Sequence, residues 1–97
     1  ELVVDLDARV ARRSGAALGL TPREFAILAH LASSPGRCFT REELIARALG
    51  DDFGGFDRTV DAHVKNLRQK IEPDPHSPRY VVTVHGIGYR FEPPEAP

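Results

Sequence analysis

Ninety-seven residues set the size of one small domain, with room for a single modest core. Hydrophobic residues make up 41% and charged residues 28%, and no apolar run reaches the roughly 18 residues of a membrane span. The formal net charge of −1 speaks against a uniformly basic nucleic-acid binder, but the charge is polarised. Residues 58–71 hold Arg58, Lys65, Arg68 and Lys70 against Asp61, a local +3, whereas residues 40–57 set Arg41 and Arg47 against five acids, a local −3.

The start of the chain lacks the basic segment and apolar middle of a secretory signal, so a cytoplasmic location is expected. The one cysteine, Cys38, excludes an internal disulfide framework and a cysteine zinc site within one chain. It reads as a small buried apolar residue rather than a reactive thiol.

In chain order, the first elements are short strands. LVVDL (2–6) is apolar and β-branched, and residues 8–13 alternate around Val10. Ser14-Gly15 signals a turn, and Leu18 and Leu20 predict a third strand ending at Thr21. Two helix starts follow, written alike. In Thr21-Pro22-Arg23-Glu24, threonine caps, proline takes the first helical position and glutamate the third. The helix places Phe25, Ile27, Leu28 and Leu31 inward and ends at Pro35-Gly36. Thr40-Arg41-Glu42-Glu43 repeats the capping box, Leu44, Ile45, Ala48 and Leu49 predict an apolar face, and Gly50 predicts the stop. Between the two helices, Arg37-Cys38-Phe39 is read as a short strand.

DDFGGF (51–56) is a glycine-rich loop, and Asp57 is placed to cap a third helix over 58–71, stopped by Pro73-Asp74-Pro75. The last element reads as a hairpin: YVVTV (80–84), a turn at His85-Gly86-Ile87-Gly88, then Tyr89-Arg90-Phe91. Residues 1–92 are thus expected to form the domain and 93–97 a proline-rich tail, in which Pro93, Pro94 and Pro97 cannot join a central strand. The fold class expected is α+β: an N-terminal antiparallel sheet, three helices and a C-terminal hairpin.

The third helix carries the functional signal. At about 100° per residue, Val60, Val64, Leu67 and Ile71 fall in one narrow stripe that must face the core. Arg58, Ala62, Lys65, Asn66 and Gln69 lie opposite, with His63 and Arg68 on the flanks. That outer face suits the major groove, which is about 12 Å wide and admits one helix. Arg and Lys donate to guanine, Asn and Gln pair with adenine, and Ala62 lets the helix approach closely. The flanking cations are placed for phosphates. The same residue types also make an ordinary solvated face, and the helix alone does not choose between the two. Gly86 and Gly88 permit positive φ in a tight hairpin turn, from which Thr83, His85 and Arg90 can meet phosphate or a minor groove.

Catalytic and metal chemistry find no motif. His30, His63, His76 and His85 form no H-E-x-x-H or paired H-x₃-H, no serine is spaced with a histidine and an acid, and no phosphate loop is present. No enzyme activity and no cofactor are expected.

Three segments bring the chain to a known family: LTPREFAILAHLASSPGRCFTREELI (20–45), RTVDAHVKNLRQKIE (58–72) and YVVTVHGIGYRF (80–91). Over nearly its whole length the chain resembles the OmpR/PhoB-type effector domain of two-component response regulators. The resemblance implies a winged helix-turn-helix, with helix 58–71 in the major groove and the hairpin, the wing, at the adjacent minor groove. By position it makes Arg58, His63, Lys65, Asn66 and Arg68 recognition-helix contacts, and Thr83, Tyr89 and the backbone near Gly86 wing contacts. Two positions depart from the pattern. His85 stands where the family often has arginine, and Asn66 where many relatives have a base, which favours adenine reading over phosphate attraction.

The resemblance further implies an N-terminal receiver domain, absent from this chain, and a sensor kinase that phosphorylates it. An isolated monomer and a dimer on tandem half-sites in promoters follow from it. The loop over 50–57, with Asp51, Asp52 and Phe53, resembles a segment proposed to touch RNA polymerase. The competing function is an interaction module on the same fold, contacting RNA polymerase or its own receiver.

Overall fold

The computed structural model describes residues 2–50 and 57–93, with the side chains of 57–59 outside the description. The chain opens on an antiparallel sheet of β1 (Leu2–Asp5), β2 (Val10–Arg13) and β3 (Ala16–Ala17) in that order. Ser14 and Gly15 both adopt positive φ, 54° and 83°, the conformation of a tight two-residue hairpin. The third strand is shorter than the sequence predicts. Leu18 and Leu20 do not extend it: Leu18 N–H donates to Ala11 O (2.8 Å), and the chain then leaves the sheet to reach the Thr21 cap.

Helix α1 (Pro22–Ala32) begins on the expected capping box. Glu24 N–H donates to Thr21 Oγ1 (3.2 Å), and Thr21 N–H donates to Glu24 Oε1 (2.9 Å). Strand β4 (Cys38–Thr40) leads into α2 (Arg41–Leu44), whose box closes the same way through Thr40 and Glu43. The helix then widens into a π-helical turn, Ile45–Leu49, in which Gly50 N–H donates to Ile45 O (2.9 Å) with Gly50 at φ 80°. This shifts the side chains from α-helical spacing. Leu44 is buried, whereas Ile45, Ala48 and Leu49 are only half-buried.

Helix α3 (Asp57–Ile71) crosses beneath α1, and β5 (Val81–Val84) and β6 (Gly88–Phe91) form the hairpin. The second sheet has the order β4-β6-β5, antiparallel throughout. One core joins both sheets to the helices. Val60, Val64, Leu67 and Ile71 are all fully buried in it, with Ile27, Leu28, Leu31, Phe39, Leu44 and Val81. The four-residue stripe of α3 is therefore the face that holds the helix down.

Two buried carboxylates fasten this core. Glu24 closes its capping box and also accepts from Lys70 Nζ (2.6 Å), which ties the start of α1 to the end of α3. Glu72, 2% exposed, accepts from the backbone N–H groups of Arg79 (2.7 Å), Tyr80 (3.1 Å) and Val81 (2.8 Å). Arg13 Nη1 donates to the Ile71 carbonyl (3.0 Å), which covers one of the unpaired groups at the helix end.

The glycines of the turn serve different ends. Gly86 adopts φ +81°, as the turn requires. Gly88 does not; it faces Thr40 across the sheet, where a Cβ would stand 2.0 Å from the Phe39 carbonyl oxygen. Gly88→Ala is expected to cost about 2–3 kcal/mol or more by forcing β4 off β6. Gly86→Ala, with open space around it, is expected to cost about 1–2 kcal/mol of backbone strain. Urea denaturation of both variants checks the order.

Burial pushes the Glu24 carboxyl up, but the Lys70 ammonium and the Thr21 N–H outweigh it and leave the group below its ordinary value of 4.5. Its contribution to stability is therefore present above about that value and lost as pH falls through the lower, folded one. Glu24→Gln is expected to flatten the acid limb of a stability-versus-pH curve, and an unchanged limb contradicts this.

Candidate nucleic-acid interface

Helix α3 turns Ala62, Lys65, Asn66 and Gln69 to solvent. Among the described residues, the side chains of Lys65, Asn66 and Gln69 make no hydrogen bond or ion pair. His63 lies half-buried on the flank. Arg58, the first cation of the expected face, has its side chain outside the described residues, as have Asp51, Asp52 and Phe53 of the acidic loop and residues 94–97 of the tail.

The far flank of α3 is occupied. Arg68 donates through Nε (3.0 Å) and Nη2 (2.9 Å) to the Val81 carbonyl, and through Nη2 to Thr83 Oγ1 (2.8 Å). Both residues are expected at phosphate; in the free domain they also bond to each other, through one of the two Arg68 nitrogens so engaged. The physical reason is position: Asp61 and Arg68 are seven residues apart, hence on one side of the helix, and that side faces β5 and β6. Tyr89 is likewise drawn inward. It is 4% exposed, and its hydroxyl donates to Asp61 Oδ1 (2.6 Å). The same oxygen accepts from Arg41 Nε (2.7 Å), and the Arg41 and Arg68 guanidinium carbons lie 5.4 and 5.5 Å from the Tyr89 ring centroid. Arg90 pairs with Glu92.

Burial pushes the Asp61 carboxyl up, but the Tyr89 hydroxyl and the Arg41 guanidinium hold it below the usual range. Burial and the Asp61 carboxylate together push the Tyr89 phenol up, so it stays a donor. Sequence reasoning placed Arg41 only as a capping-box residue and Asp61 only as a lone acid. The shared flank of Asp61 and Arg68 was the available signal for part of this network; nothing in the sequence pointed to Arg41.

At the wing tip His85, Gly86 and Ile87 are exposed, Ile87 at 52%. This apolar side chain at the turn is a surface feature that the hairpin pattern did not flag. A hollow of ≈130 Å³ lined by Lys65, Arg68, Gln69, Pro75 and His76 opens beside the outer face of α3. Among the described residues no three His, Cys, Asp or Glu side chains gather as metal ligands, and no helix is long and apolar enough to cross a membrane.

The described outer face of α3 is thus exposed and partly cationic, and the tip of the hairpin that packs on its flank is exposed as well. Residues 15–91 match the family model described as the C-terminal domain of transcriptional regulatory proteins. The chain belongs to this OmpR/PhoB-type family of DNA-binding domains. It is 44% identical over 91 residues to the sensory transduction protein RegX3 of Mycobacterium leprae, covering 94% of this chain and 46% of RegX3. It superposes on the Thermotoga maritima response regulator DrrB, an OmpR/PhoB homologue, with a TM-score of 0.87 at 35% identity, covering 95% of this chain and 42% of that one. The DNA-binding domain of Klebsiella pneumoniae RstA, solved in complex with the RstA box, matches with a TM-score of 0.81 at 30% identity over 94% of this chain and 90% of that one. The chain thus spans somewhat less than half the length of the curated relatives it matches. The family is one of transcriptional regulators, not of enzymes.

The division of labour on α3 has a measurable consequence for stability. Lys65→Ala, Asn66→Ala and Gln69→Ala are each expected to change unfolding free energy by no more than about 0.5 kcal/mol. Arg68→Ala is expected to cost about 1–3 kcal/mol, because a half-buried carbonyl and hydroxyl lose a charged donor. Equal costs at all four positions, read by chemical denaturation, contradict the assignment.

Proposed function

We propose that the domain reads double-stranded DNA sequence-specifically as the output module of a two-component response regulator. Helix α3 enters the major groove with Ala62, Lys65, Asn66, Gln69 and Arg58 toward the bases and His63 at its flank. The wing tip, His85-Gly86-Ile87, lies at the adjacent minor groove. The observation that carries this reading is the exposed face of α3, whose Lys65, Asn66 and Gln69 are left without internal partners beside that tip. Lysine there serves guanine O6 and N7, and the two amides serve adenine N6 and N7. RstA, of similar fold, has been solved with its box, which supports the same use of this surface.

The regulation belongs to the remainder of the protein. The RegX3 relative is more than twice the length matched here, which supports a receiver domain on the other half and a sensor kinase acting on it. On this reading two domains sit in tandem on promoter half-sites in the cytoplasm, and the acidic loop with Asp51, Asp52 and Phe53 addresses RNA polymerase.

Selection of duplexes from a random pool, followed by titration of the winner at several salt concentrations, tests the reading. A motif is expected, with affinity falling as salt rises. Lys65→Ala is expected to lose about 1–3 kcal/mol of discrimination at one base pair. No enrichment, even with two domains linked in tandem, overturns sequence-specific reading and favours the interaction module.

A further inference from the structure

Among the described side chains of α3, the Asp61 carboxylate is the one negative group, on the flank of a helix whose described outer face is cationic or neutral. Unneutralised, it would repel a phosphate backbone. It is neutralised locally by Arg41, from the start of α2, and it also accepts from the Tyr89 hydroxyl of β6. Three elements therefore converge on one oxygen. Two turns further along α3, Arg68 reaches the same hairpin through Val81 and Thr83, and the Tyr89 ring lies within about 5.5 Å of both guanidinium groups. The Arg41–Asp61 pair is 32% and 43% exposed, so it adds little to overall stability. Its effect lies in geometry.

We infer that Asp61 is a positioning residue: with Arg41, Tyr89 and Arg68 it clasps the wing to α3, so that major-groove and minor-groove readers meet DNA as one rigid body. Arg68 joins the clasp through Nε and Nη2, and Tyr89 through its hydroxyl. The clasp sets how strongly the wing discriminates the sequence flanking the half-site, and it leaves the preferred half-site to Lys65, Asn66 and Gln69. The inference rests on the DNA-reading function for its binding readout only, because the clasp is present in the free domain.

The test compares wild type, Asp61→Ala, Asp61→Asn, Tyr89→Phe, Arg68→Ala and the Asp61→Ala/Tyr89→Phe double variant. Binding is measured to two duplexes that share the selected half-site and differ in an A/T-rich or G/C-rich flank, at several salt concentrations. Amide exchange of residues 81–91 is followed in the free domain. Asp61→Ala is expected to lose about five- to tenfold of flank discrimination, with the half-site and the salt slope unchanged. Asp61→Asn, which still accepts both bonds, is expected to keep most of it. The double variant is expected to be no worse than Asp61→Ala, since both changes open one contact. Amide exchange across 81–91 is expected to quicken in Asp61→Ala and, less so, in Tyr89→Phe.

Additive losses in the double variant or a changed half-site overturn the clasp. If the wild type binds no duplex, the proposed function fails by itself. The exchange arm then decides: unchanged exchange overturns the clasp, and quickened exchange confined to the hairpin supports it.

Discussion

Where α3 ends, a carboxylate is buried. Glu72 has no cation against it among the described contacts. It stays inside because three consecutive backbone N–H groups, of residues 79 to 81, point at its two oxygens. An isolated carboxylate in that setting would be prohibitively costly, so the segment returning from the proline loop has one way to run. β5 is an edge strand, paired with β6 alone, and the Glu72 side chain supplies the acceptors that the entry to an edge strand lacks. The result is that helix and hairpin are joined at their nearest point by a fastener that does not depend on side-chain packing.

From that joint the other attachments follow in order. Arg13 covers the Ile71 carbonyl from β2, so the N-terminal sheet also registers on the end of α3. Arg68, one turn before the helix end, reaches the first residue of β5. Asp61, two turns earlier still, meets Tyr89 of β6. Gly88 closes the hairpin onto β4, because only an absent Cβ lets β6 approach the Phe39 carbonyl. The wing is therefore held along its length, and its exposed part is reduced to the tip.

What the sequence made legible was local. Both capping boxes, the Ser14-Gly15 turn, the Gly50 stop and the buried stripe of α3 each follow from residues within a turn or two of one another. What it hid was long-range pairing of polar groups. Glu24 announced itself as a cap but not as the partner of Lys70, 46 positions away. Glu72 follows the end of α3, and no residue near it in sequence signals its burial. The π-helical turn is not legible because Ile45, Ala48 and Leu49 have a good α-helical spacing, which carries no sign of an extra residue in the turn. On the candidate site, the outer face of α3 was legible from periodicity alone. The inner engagement of Arg68, Thr83 and Tyr89 was not, because a helical wheel gives a residue's direction and not its neighbour.

That distinction bears on how a recognition surface is read. The fold's own acceptors draw on the same cations that a ligand would use, and here those acceptors are specific: a strand carbonyl, a hydroxyl and two carboxylate oxygens. Arg41, Arg68 and Lys70 each serve such a named partner. Lys65 is not, although it lies one turn from Asp61, a spacing at which a lysine commonly pairs with an acid. Arg41 holds that acid instead. With Arg41 on the carboxylate and Lys65 unpaired on the outer face, a residue on α2 offsets the charge of the acid on α3.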